Sequence, residues 1–246
     1  YDMAQMKADI WVALELLKRL DGQRLVALAK QGLGPSDIMQ LLGMRPGVVE
    51  WFAFRAELLA RNIKRFRDAV HKAAGRDFIF GADTYPSSLA MFVGHNQARW
   101  GEFSDFASPL ISHADIFPMK TLTDWATFLM SLFPNIGEGE ALQTIYRLVG
   151  YDSLALPTTI ADFALGQPDC EFRHVPLRAL LYLDMAKARL VLPPEVPSYP
   201  IIQGGGAPWM WPREIIEGVM ADGYALGHNG FMLQGTKSLV EFQLQE

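Results

Sequence analysis

The first 75 residues carry apolar side chains at helical spacing. The earliest set falls at intervals of three and four residues and comprises Met6, Ile10, Leu14 and Leu17. Two short helices are predicted after it, over residues 25–29 and 35–43. A long helix is then predicted from Pro46 to about Ala74, because one apolar stripe runs along this segment and Gly75 follows as a stop signal.

Beyond residue 75 the apolar residues form short continuous runs, which are typical of strands buried on both faces. The four predicted strands lie near residues 78–82, 114–119, 199–203 and 230–234. Helical patterns separate them, over residues 89–106 in broken pieces, 123–133, 140–149, 177–190 and 212–226. Strands that alternate with helices indicate parallel β-α units, so the pattern predicts an α/β fold, either a half-barrel or an open parallel sheet.

Composition narrows the functional classes. The chain has 22 Lys and Arg against 27 Asp and Glu, a net charge of −5, which argues against nucleic acid as a partner because phosphate binding needs a basic surface. Half of the residues are hydrophobic, enough for a large core, and no apolar run is long enough to cross a membrane. The single Cys170 excludes an intrachain disulfide. The chain opens at Tyr1 without Met, so we expect a piece of a longer protein, and the sequence assigns no cellular location.

Polar and aromatic residues follow the predicted strands. Because the carboxyl ends of parallel strands meet at one edge, we expect them to converge there. The candidate site residues are Asp83, Tyr85, Lys120, Gln203, Trp209, Trp211 and Gln234. Sugar C–H faces stack on aromatic rings and sugar hydroxyls need donors and acceptors, so this set favours a carbohydrate site. Structural roles stay open, with Asp83 as the cap of a helix starting near Ser87 and the tryptophans as core residues.

Several segments resemble glycoside-hydrolase-like (β/α)8 barrels. The similar segments are WFAFR at residues 51–55, HADIFPM at 113–119, YPIIQ at 199–203 and GHNGF at 227–231. The resemblance covers roughly residues 46–235 in pieces. It implies the C-terminal half of a TIM-type (β/α)8 barrel at residues 46–246, with about four parallel strands, after a helical segment at residues 1–45. Two departures are Lys120-Thr121 in place of the usual tyrosine region and Gln203 in place of a glutamate.

The resemblance implies a carbohydrate-active enzyme that hydrolyses glycosidic bonds at the carboxyl ends of the strands. Such hydrolysis ordinarily needs two carboxyl groups, and the sequence places Asp83 alone. In such barrels the second one follows strand four, which would lie before Tyr1, so the upstream half of the parent protein is an expected partner. The alternative is a non-catalytic carbohydrate-binding or structural module. We expect Lys120 to lie within reach of Asp83 and to keep it ionised, as a group that orients or stabilises the substrate.

Other signals are weaker. Residues 32–50 resemble a helix-turn-helix, but the segment that would be its recognition helix, residues 46–51, is apolar and acidic. Residues 204–206 are three glycines that could cradle a phosphate, although no helix pattern begins directly on them. Cys170 and His174 lack an evident set of further ligands. We therefore expect no metal, no cofactor, no nucleic-acid partner and no membrane partner.

Overall fold

The computed structural model describes residues 1–75, 77–165, 175–203 and 211–234. Its N-terminal part consists of four helices: α1 (Met3–Lys18), α2 (Gly22–Gly32), α3 (Pro35–Leu41) and α4 (Pro46–Ala74). Asp2 caps α1 by accepting hydrogen bonds from the backbone N–H groups of Ala4 and Gln5, and Asp21 caps α2 in the same way. The helices predicted in this part of the chain are confirmed. Residues 46–51, the recognition helix of the helix-turn-helix alternative, are the first turns of α4.

The remaining elements are short strands between helices. They are β1 (Gly81–Thr84), β2 (Phe106–Pro109), α5 (Lys120–Leu132), α6 (Glu138–Val149), α7 (Leu177–Val191), β3 (Ile201–Gln203), α8 (Arg213–Ala225) and β4 (Met232–Gln234). Two 3-10 turns between β1 and β2 correspond to the broken helical pattern predicted there. The later helical patterns correspond to α5, α6, α7 and α8. None of the described helices is long and apolar enough to cross a membrane.

The strands form two parallel pairs. In the first, Asp83 of β1 lies opposite Ser108 of β2, and in the second Gln203 of β3 lies opposite Gln234 of β4. Isolated parallel bridges align the end of β2 with β3, one of them between Leu110 and Ile201. All four strands therefore end on the same side of the molecule.

The predicted fold class is wrong. The protein is 62% helical and contains only these two small two-stranded sheets among its described residues, which is not the strand arrangement of an α/β TIM-type barrel. Each strand is three or four residues long, so most backbone hydrogen bonds are made within helices. The prediction failed because short apolar runs do not distinguish a strand from a buried helical segment.

Two of the predicted strands illustrate the error. Residues 115–119 form one π-helical turn that leads directly into α5, so the apolar run at 114–119 is a helix entrance. Phe78 and Ile79 are exposed and precede the first strand, which begins only at Gly81. The strand that pairs with β1, residues 106–109, was not predicted because it contains Ser108 and ends at Pro109.

Helix packing supplies the main hydrophobic core. The core joins α5, α6 and α7 to the loops on either side of them, and its fully buried members include Leu122, Leu142, Tyr146, Leu180 and Met185. A smaller cluster around Trp100 packs β1 and β2 against α4, through Ala82, Ala107 and Ile63. The short strands thus pack against helices, and the candidate site lies at the carboxyl ends of these strands.

Candidate functional site

Polar and aromatic residues lie at the carboxyl-terminal edge of the strands and in the segments that follow them. We call this set the strand-end cluster, and it comprises Asp83, Tyr85, Ser112, His113, Phe117, Gln203 and Gln234. Asp83 and Tyr85 come from β1 and the residue after it, and the two glutamines end β3 and β4. The pairing of the strands in register places the members on one edge.

Tyr85 is held at both its backbone and its ring. Its N–H donates to His95 Nδ1 at 2.9 Å, and its carbonyl accepts from Gln97 Nε2 at 3.2 Å. The ring packs edge-on against Phe117, with centroids 4.8 Å apart. Burial raises the pKa of the Tyr85 hydroxyl, which also forms a hydrogen bond with Thr121. Tyr85 is therefore a fixed, protonated phenol at neutral pH.

His95 is a neutral support for Tyr85. Burial lowers its pKa to about 4, so the ring carries no charge at neutral pH. Because Nδ1 accepts the Tyr85 N–H, the single ring proton is on Nε2. The His95 ring packs between the rings of Tyr85 and Trp100, with its centroid 5.3 Å from that of Trp100, and thereby supports Tyr85 from inside the protein.

Ser112 connects His113, in the segment after β2, to Gln234 at the end of β4. Its hydroxyl donates to Gln234 Oε1 at 2.8 Å and lies 2.9 Å from Nδ1 of His113. Ser112 is fully buried, whereas His113 is half-buried with its ring 5.7 Å from that of Phe117. A continuous series of contacts therefore runs from Tyr85 through Phe117, His113 and Ser112 to Gln234.

The surroundings of Asp83 differ from the predicted ones. Burial raises the pKa of its carboxyl group above the usual value, and no cation among the described residues offsets this effect. The predicted partner, Lys120, instead forms an ion pair with Asp124 one helical turn away. The expectation was wrong because Lys120 is the first residue of α5, where an i,i+4 carboxylate is the nearer partner, and does not follow a strand.

The structure describes one of the two tryptophans of the predicted site. Trp211 is 3% exposed and belongs to the main core, as the structural alternative held. Trp209, the glycines at 204–206, Cys170 and His174 lie outside the described residues. Of the predicted set, Asp83, Gln203 and Gln234 lie on strands that end on the same side of the molecule, and Tyr85 directly follows β1.

The sequence interpretation missed Ser112, His113, Phe117 and His95. Ser112 and His113 follow β2, which was not predicted, and the run containing Phe117 was assigned to a strand. A signal was nevertheless present, since the polar pair Ser112-His113 directly precedes the start of a helical region. Recognising 106–109 as a strand would have placed that pair at its carboxyl end.

A buried polar network elsewhere is structural. Tyr151 and Ser88 donate to the two carboxylate oxygens of Asp184, at 2.7 and 2.9 Å, and Lys187 donates to Ser88 and to two backbone carbonyls. Burial raises the pKa of Asp184 and lowers that of Lys187. Because every charged atom of this network has partners, it links α7 to the loop after β1 and leaves no group for a ligand.

A second recess lies at the opposite, amino ends of β1 and β2. It has a volume of about 770 Å³, and Lys64, Arg67, His71, Lys72 and Asp105 are among its lining residues. Asp105 binds Arg67, His71 and the backbone N–H of Phe80, and thereby joins α4 to the start of β1. Among the described residues, no group of three or more His, Cys, Asp or Glu is arranged to hold a metal ion.

Comparison with protein-family models, with curated proteins and with solved structures found no match to this chain.

Proposed function

We propose that the strand-end cluster binds a carbohydrate. The observation that supports this proposal is the continuous set of hydrogen-bonding and aromatic groups from Tyr85 to Gln234. Sugars need both kinds of group, because their hydroxyls pair with amides and carboxylates while their C–H faces pack on rings. Several of these groups are already fixed by the protein, which reduces the entropy lost on binding.

Binding to an array of neutral oligosaccharides built from glucose, xylose and mannose is the direct test, followed by titration of the tightest binder in solution. We expect Asp83→Asn to weaken that binding about tenfold, or about 1.4 kcal/mol, because a carboxylate oxygen that accepts a sugar hydroxyl is replaced by a donor. The matched control is Asp68→Asn, on the exposed face of α4 beside the opposite recess, which should not change affinity.

Stability separates a binding role from a capping role for Asp83. Asp83→Asn should melt within a few degrees of the parent, because no charged partner is lost. A much lower melting temperature with unchanged affinity per folded molecule would identify Asp83 as a structural residue and contradict its place in the site.

Glycosidic bond hydrolysis is the second candidate function. It is favoured by the raised pKa of Asp83, since a carboxyl group that holds its proton longer is suited to protonate a leaving group. This second candidate uses Asp83 as a proton donor, whereas the binding proposal uses its carboxylate as an acceptor. The strand-end cluster contains one carboxylate among its described side chains, so hydrolysis requires a second one from elsewhere. Hydrolysis would be supported if the parent turns over aryl glycosides and Asp83→Asn loses this activity. The loss should be smaller for aryl glycosides with good leaving groups, which need less protonation.

A further inference from the structure

The contacts of Ser112 determine where the proton of His113 lies. The Ser112 hydroxyl has one proton, and it is given to Gln234 Oε1 at 2.8 Å. With the amide oxygen of Gln234 toward Ser112, the hydrogen in the 2.9 Å contact between Ser112 Oγ and His113 Nδ1 comes from Nδ1. A neutral imidazole carries only one ring proton, so Nε2 of His113 then holds a lone pair.

We propose that Gln234 and Ser112 are positioning residues that hold His113 as its Nδ1–H tautomer, and that His113 Nε2 accepts a hydrogen bond from a hydroxyl of the bound sugar. This inference rests on the proposed function and adds to it a preference of the site for neutral over anionic sugars. In many binding and catalytic sites, a hydrogen-bond partner on Nδ1 fixes the tautomer of a histidine and leaves Nε2 to contact the ligand. Ser112 and Gln234 would act on His113 in the same way.

Burial supports this division of roles. Ser112 is 2% exposed, so the hydroxyl is a support inside the protein and does not contact a ligand itself. His113 is half-buried and packs near Phe117, which in turn contacts Tyr85. The imidazole is thus the member of the series that lies between the buried support and the aromatic part of the cluster.

The tautomer also determines the class of ligand. The Nε2 lone pair of the Nδ1–H tautomer accepts hydrogen bonds from hydroxyls, and the carboxylate of Asp83 repels anions. The cluster is therefore suited to a neutral sugar, whose hydroxyls donate, and poorly suited to a uronic acid or a sugar phosphate. Tetragalacturonic acid should bind at least about tenfold more weakly than the neutral oligosaccharide selected on the array.

Long-range ¹H–¹⁵N correlation spectra of the full chain test the tautomer without any sugar. At a pH where the histidines are neutral, we expect the pattern of an Nδ1–H ring for His113, assigned by its absence in His113→Gln. Ser112→Ala should reduce the fraction of this tautomer severalfold. An Nε2–H pattern in the parent chain, or no change in Ser112→Ala, would overturn the positioning role.

Two substitutions test the ligand contact. Gln at position 113 places an amide near the position of Nε2, whereas Asn places it near that of Nδ1. We expect His113→Gln to keep affinity within about threefold and His113→Asn to lose about tenfold, with both variants melting near the parent. Equal affinities of the two variants would overturn the contact. If no neutral glycan binds the parent chain, the proposed function fails and the contact with it, whereas the tautomer spectra still decide the positioning role.

Discussion

His228 shows how burial determines the charge of a side chain in this protein. It is 4% exposed, contacts Ser198 Oγ and the carbonyl of Met185, and burial lowers its pKa to about 4. In the unfolded chain the same ring has a pKa near 6.5. The folded state therefore binds fewer protons than the unfolded state between these two values, and its stability falls as the pH decreases through this range.

The loss of stability assigned to His228 can be measured. Between pH 7 and pH 5 one such histidine should cost about 2 kcal/mol of unfolding free energy, and His95 adds a similar dependence because its pKa is also lowered to about 4. His228→Gln keeps a donor for the Met185 carbonyl and does not titrate. Urea unfolding at both pH values should show a correspondingly smaller loss in this variant. A loss equal to that of the parent would mean that His228 is not the group that takes up the proton.

At the scale of the elements, the contact between α1 and α4 depends on a glycine, which has no side chain to separate the two helices. Gly47, at the start of α4, is buried, and its N–H donates to the buried Asp9 of α1 at 2.9 Å. A Cβ at this position would lie 2.9 Å from the backbone of Met6 and from the side chain of Asp9. Backbone cannot yield as a flexible side chain can, so close approach of the two helices requires glycine here.

Replacing glycine by alanine should therefore have opposite effects in two helices. Alanine is intrinsically better than glycine in a helix by up to about 1 kcal/mol, but Gly47→Ala should destabilise the protein by about 1–3 kcal/mol because it overpacks the α1–α4 contact. The matched control is Gly139→Ala in α6, where the nearest atom to a new Cβ is the Thr158 carbonyl at 3.4 Å. Thermal or urea unfolding should show no loss, or a gain, for the control. Equal effects of the two variants would contradict the packing described for α1 and α4.

The elements also show what the sequence could and could not predict. The helices were predictable because their apolar spacing extends over many residues and is bounded by capping residues such as Asp2 and by stops such as Gly75. The strands are three or four residues long, which is too short for a period to be measured. Their formation depends on tertiary contacts, such as the pairing of Asp83 with Ser108, that no local pattern encodes.

At the scale of the whole molecule, the strand-end cluster depends on segments that are far apart in the chain. Ser112 and Gln234 are separated by 122 residues and meet through a hydrogen bond. Tyr85, Gln203 and Gln234 could be placed at one edge because each ends or directly follows a strand that was at least partly predicted. Lys120 and Trp211 could not be placed correctly, because their surroundings were assigned to strand ends but form a helix start and a core.

At the scale of the whole molecule we also propose that a neutral carbohydrate binds at the carboxyl ends of the strands. Mapping amide and side-chain chemical shifts on the labelled full chain, during titration with the neutral oligosaccharide selected on the array, tests it most directly. We predict that the largest changes occur at Asp83, Tyr85, His113, Gln203 and Gln234. Changes concentrated around Lys64, His71 and Lys72 in the opposite recess, or no change at saturating sugar, would contradict it.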